Sequence, residues 1–162
     1  MDCQQMFDQA NNFYAYSKLC EEKARNRPVA NVFFMAPLAV NLSFACEIYL
    51  KTLLNYHRIE VKQHKLNNLF DSLPDEDQGV ISETLHQRYP FRPIAAKARK
   101  IDLVASAFTE WRYSYEMKEL DCDIGYLKAL AKTLRDACST IVFGLTWDQY
   151  CKIVGNDADL WG

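Results

Sequence analysis

Glu47 and Lys51 stand four residues apart inside SFACEIYLKTLL, residues 43–54, a stretch that is otherwise almost entirely apolar. Residues spaced i, i+4 share one face of a helix, and Glu before Lys is the favourable order. The pair reads either as a solvated ion pair or as a polar seam in a buried interface, where an unpaired charge would be costly and must be satisfied. Leu54 and Arg58 continue the same line, and His64 follows at the start of HKLNNLF. A histidine there caps a helix start, or it sits over the end of the preceding helix near Lys51 and Arg58. In the second position it is a candidate acid or base, because imidazole titrates near neutrality. Further on, EWRYSYE sets Arg112 and Glu116 one turn apart, with Arg112 flanked by Trp111, Tyr113 and Tyr115. Arg before Glu is the weaker helical order, so each is expected to find a partner on another helix, Arg112 with Glu47. The polar seam or ligand-binding set expected from these stretches is Glu47, Lys51, His64, Arg112 and Glu116.

A second candidate is basic. Arg88, Arg92, Lys97, Arg99 and Lys100 gather around QRYPFRPIAAKARK, with Tyr89 and Phe91 among them. Clustered cations suit phosphate, and the two rings could stack on bases. The plainer reading is a solvated helix start. His57, His64 and His86 do not share a helix face with a carboxylate in the HExxH manner, and there is no glycine-rich phosphate loop and no GxSxG. No metal or cofactor is expected.

The elements that must hold these residues are helical. Only five Gly and five Pro occur in 162 residues, and long stretches repeat at the helical period. The first helix is expected over 3–25, with Phe7, Ala10, Phe13 or Tyr14, and Ser17 on its inner face. The second starts near Val29 or at Pro37 and runs to about His57, with Leu38, Leu42, Ala45, Tyr49, Leu53 and Tyr56 in one stripe. HKLNNLFDSLP is a compact helix stopped by Pro74. DEDQGVISETLHQR is another, its opening acids suited to a helix N-terminus. The longest periodic segment runs from about Ile94 to Glu119, with Ile101, Val104, Phe108 and Tyr115 on one face. A last long helix spans about 126–143 on Leu127, Leu130, Leu134, Ala137 and Ile141, and the tail adds one short helix. The fold class expected is all-α: one domain, an antiparallel bundle of four to six helices.

Composition narrows the setting. A formal net charge of −2 gives no global nucleic-acid signature. The six cysteines form no CxxC pair and fall mostly among apolar helical residues, as reduced buried thiols do. The first residues carry no basic signal-peptide region, and the apolar run at 29–45 is broken by Asn31, Pro37, Asn41 and Ser43. A cytoplasmic protein that does not cross a membrane is expected.

Taken in order, SFACEIYLKTLL, HKLNNLFDSLP and WRYSYE resemble the HEPN superfamily of prokaryotic helical bundles over about residues 41–143. The resemblance implies a bundle that usually dimerises, in a toxin–antitoxin, defence or stress setting, with a partner such as a nucleotidyltransferase. Many members are metal-independent RNases that carry Arg followed after four to six residues by His. The Arg holds the scissile phosphate and the His moves a proton. Here Arg112 is followed by YSYEMKEL and no His; Arg58, with five residues between it and His64, matches only formally and lies in a connector. The leading expectation is a non-catalytic module that binds RNA, a nucleotide or a protein partner. The alternatives are an RNase using His64 with Arg58 or Arg112, and a homodimeric scaffold without a nucleic-acid ligand.

Overall fold

The computed structural model describes residues 2–26, 31–90, 99–108 and 123–155, with backbone alone at 31–33. Seven helices lie in these segments: α1 Cys3–Asn26, α2 Asn31–Tyr56, α3 Leu66–Asp71, α4 Asp75–Arg88, α5 Lys100–Leu103, α6 Ile124–Phe143 and α7 Trp147–Val154. No strand occurs among the described residues. None of these helices is long and apolar enough to cross a membrane.

Cross-helix contacts fix the topology. Phe13 meets Phe44 with ring centroids 4.5 Å apart, Tyr49 donates to Asn11 at 2.7 Å, and the Asn55 amide donates to Cys3 Sγ at 3.1 Å. As α1 numbers fall the α2 numbers rise, so the two are antiparallel. Against α6, Glu21 meets Lys128, Tyr14 meets Arg135 and Phe7 meets Phe143, so α1 is antiparallel to α6 as well. The buried stripe of α1 (Phe7, Ala10, Tyr14, Ser17) therefore lies in the core with α2 and α6. It is the stripe the period predicts, with Tyr14 chosen over Phe13.

On α2, Leu38, Leu42, Ala45, Tyr49 and Leu53 are buried as expected, but Tyr56, the last of the predicted stripe, is 46% exposed. Pro37 lies inside one continuous helix rather than between two. Seryl and threonyl hydroxyls buried along α2 donate to the carbonyl one turn back, Ser43 to Ala39 and Thr52 to Ile48. This satisfies them without a partner from outside. The helix ends in a Schellman arrangement: Ile59 N–H bonds Leu54 C=O at 2.9 Å, and Arg58 takes φ 60°, the left-handed position that glycine usually fills.

The segment over 94–119, expected as periodic helix, is interrupted within its described part, 99–108, and helix resumes at 107–108; its other residues lie outside the described residues. Within the described part, α5 begins only at Lys100 and the chain turns at 104–106. Ile101 and Val104 are still buried, so the apolar period reports burial while the hydrogen bonds do not continue as one helix. Asp102 opens this turn by accepting from Arg99 N–H at 3.2 Å.

Three carboxyls are held below their ordinary range. The side-chain bond to Arg99 does so first for Asp102. Burial works to raise Asp123 and Glu21, but Lys100, the Tyr126 N–H and Tyr89 outweigh it at Asp123, and Lys128 and Arg25 outweigh it at Glu21. A folded-state value below the unfolded one makes the unfolded chain the better proton binder at acid pH. The stabilisation is complete above the unfolded carboxyl range of roughly 4 and is lost as pH falls through the folded values. The urea midpoint is expected to fall between pH 7 and pH 3; a midpoint that holds across that range would contradict these pairings.

Candidate functional site

Glu47 faces inward from the middle of α2 and is 3% exposed. One of its oxygens, Oε1, accepts from Lys51 Nζ at 2.8 Å and lies 2.8 Å from His64 Nδ1. Lys51 Nζ and His64 Nδ1 are themselves 3.4 Å apart. The i, i+4 pair is thus a buried carboxylate with a partly exposed amine, not a solvated couple. The connector after α2 brings His64 back over it. His64 does not cap α3, whose N-cap is Lys65 and has no side-chain cap bond. The second oxygen of Glu47, Oε2, is buried and has no hydrogen-bond partner among the described residues.

The chemistry of this trio follows from the donors. A carboxylate oxygen only accepts, so His64 presents Nδ1–H to Glu47 and the neutral ring keeps its lone pair on Nε2. The ring is 69% exposed although one nitrogen is tied to a buried group. The bond at Nδ1 fixes the ring's orientation from below while most of the side chain stays exposed. Lys51 also lines a neighbouring groove of about 370 Å³ with Met6, Asn55, Ile59, Glu60, Val61 and Lys62. Apolar walls and two ammonium groups there suit a flat ring carrying negative charge.

The other predicted residues do not join this site among the described residues. Arg58 is exposed and sits in its left-handed turn, with no side-chain bond to His64. Arg112 and Glu116 lie outside the described residues, as do Arg92 and Lys97 of the basic patch. The three described members of that patch each meet a carboxylate. Arg88 bonds Asp136 at 2.6 Å, Arg99 holds Asp71 and Asp102, and Lys100 bonds Asp123 at 2.6 Å beneath the Tyr89 ring. Five of the cysteines, Cys3, Cys20, Cys46, Cys138 and Cys151, are free thiols, and Cys122 is outside the described residues. Among the described residues no three His, Cys, Asp or Glu side chains gather as a metal ion would require.

Sequence reasoning passed over one charged surface. Lys18 and Arg25 of α1, Arg88 at the end of α4, and Lys128 and Lys132 of α6 line a groove of about 590 Å³. A signal was present: Lys18 and Arg25 are seven apart, Lys128 and Lys132 four apart, so each helix carries its pair on one face.

No family model matches the chain, and neither a curated protein nor a solved structure does.

Proposed function

We propose that the chain is a HEPN-like helical module that binds an RNA or nucleotide ligand beside Glu47 without turning it over. The observation that carries this reading is the exposed His64 ring, locked at Nδ1 by a buried carboxylate and 3.4 Å from Lys51, which itself lines the neighbouring groove. A pre-oriented ring nitrogen gives a base or ribose a hydrogen-bonding group at little entropic cost, and Lys51 and Lys62 give its phosphate two cations. Turnover needs a further group to hold the reacting phosphate. Arg58 has no hydrogen bond to His64 or Glu47 among the described residues, and no other arginine joins the trio there.

Binding of a fluorescent RNA pool and of a fluorescent nucleotide is expected to weaken with added salt. Lys51→Met and His64→Ala are each expected to lose affinity roughly tenfold, the scale of one charged or buried hydrogen bond. Binding unchanged in both variants would sink this reading. A second reading is favoured by the largely exposed His64 ring, whose Nε2 is left to take a proton from a 2′-hydroxyl when Nδ1–H is held by Glu47, as a metal-independent RNase requires. Cleavage of a mixed RNA pool in EDTA, abolished by His64→Ala, would establish it in place of the first. No cleavage is the expected result.

A further inference from the structure

The groove between α1 and α6 concentrates positive charge: Arg88 is met by Asp136 at 2.6 Å, and the other four cations outnumber the two carboxylates that line the groove with them. Five basic side chains line it (Lys18, Arg25, Arg88, Lys128 and Lys132) against two carboxylates, Glu21 and Glu22. Glu21 is shared, accepting from Lys128 at 2.8 Å and from Arg25 at 3.1 Å. Lys132 is exposed, with no carboxylate at ion-pair distance among the described residues. A sixth cation, Arg135, is buried behind the wall, 5.3 Å from the ring of Tyr14, which itself lines the groove. The strain of this crowding falls on Lys18. Burial pushes its ammonium below the ordinary lysine value, and Lys132, Arg135 and Lys128 push it further against the opposite pull of Glu21. Cations held together while partly desolvated repel one another unless an anion enters.

The charge is also bounded. On the far side of Lys132 a second groove of about 400 Å³ runs between α6 and α7. Its lining adds two carboxylates, Asp136 and Asp148, to Lys132 and Arg135, and Thr140, Thr146 and Trp147 complete the wall. A long anionic strand leaving the first groove this way would pass over two carboxylates. A ligand whose charge is compact would not. We propose that the α1–α6 groove is a binding site for a compact polyphosphate, such as the triphosphate of a nucleotide or free tripolyphosphate, held by Lys18, Arg25, Lys128 and Lys132. It is separate from the surface built on Glu47: Lys51 and His64 do not line it. Glu21 is the internal competitor, since it accepts from both Arg25 and Lys128.

The test uses the full chain with three probes at low salt: inorganic tripolyphosphate, ATP, and polyglutamate of equal charge. Tripolyphosphate is expected to bind. ATP binding at equal strength would mark the phosphates as the part recognised, and a clear preference for ATP would assign the site to a nucleotide. Lys132→Glu is expected to weaken binding at least tenfold. Glu21→Gln is expected to strengthen it several-fold, a gain that misfolding cannot mimic. Neither variant touches the Glu47 surface, so RNA binding lost only on Lys51→Met speaks to that surface and leaves the groove to its own probes. No binding of tripolyphosphate, affinity unmoved by both groove variants, or equal binding of polyglutamate would each overturn the assignment.

Discussion

Replacing Arg135 by alanine is expected to cost the fold about 3 kcal/mol, the range seen when one member of a buried ion pair is removed. In a chain of this size that lowers the melting midpoint by roughly 6–12 °C. Arg135 is 2% exposed. Its guanidinium carbon lies 4.0 Å from the centre of the Trp147 ring and 5.3 Å from that of Tyr14, a planar cation between two aromatic groups. Its Nε donates to Asp136 Oδ1 at 3.0 Å, while Asp136 Oδ2 accepts from Arg88 at 2.6 Å. One carboxylate thus ties the end of α4 to a cation buried under α7. Alanine removes the stacked plane, leaves a cavity beneath Trp147 and strands half of that carboxylate. Arg135→Lys keeps the charge but not the plane and is expected to recover little of the loss. Arg135→Met keeps most of the volume without the charge and is expected to recover more. Urea unfolding of the three variants decides the matter: a loss below about 1 kcal/mol for alanine would show that the guanidinium is not a packing element of the core.

The same residue connects stability to the anion groove. A cation placed in the interior for packing still projects its field, and Lys18 feels it through the low-dielectric wall. The positive groove is therefore partly a by-product of how α6 is anchored. Lys128 and Lys132 then extend the charge outward along the same helix.

Much of the helical frame could be read from the sequence, because burial and period coincide there. The stripes of α1 and of α6 are buried as the period places them, and so are Leu66, Leu69, Phe70 and Leu73. The reading missed the turn at 104–106 because an apolar residue every third or fourth position is also met by a turn that keeps two side chains inside, as Ile101 and Val104 do. It failed at Tyr56 because a stripe says nothing about where a helix outruns its neighbours. Glu47 was legible as an anomaly, a carboxylate in an apolar run, but its link to His64 depends on the turn at Arg58. No glycine marks that turn, so the return of the chain over α2 had no signal of its own. The cationic groove was overlooked for a different reason. Its charges come from three helices far apart in sequence, and each pair alone reads as an ordinary solvated face.

Phe7→Ala is expected to be the most damaging single truncation, costing about 4 kcal/mol, the scale for deleting a buried aromatic ring. The ring is 0% exposed and sits at the meeting of four helices. Its centroid lies 5.8 Å from Tyr49 of α2, 5.2 Å from Phe143 of α6, and 6.2 and 5.0 Å from Trp147 and Tyr150 of α7. The last two contacts are edge-on, the arrangement that adds to simple area burial. Phe7 lies in the first turns of α1 and Trp147 opens α7, two stretches outside the residues that carry the family resemblance. If they were appendages, truncating Phe7 would fray the ends and leave the midpoint of unfolding in place. The packing says otherwise, because removing this ring uncouples α7 from α1 and takes the floor from beneath Trp147 and, with it, the support of Arg135. Phe7→Leu fills most of the volume and is expected to cost less than half as much. Combining Phe7→Ala with Arg135→Ala is then expected to destabilise by clearly less than the sum, since both act through Trp147. Strict additivity in urea unfolding would mean that the two residues stabilise separate parts of the bundle.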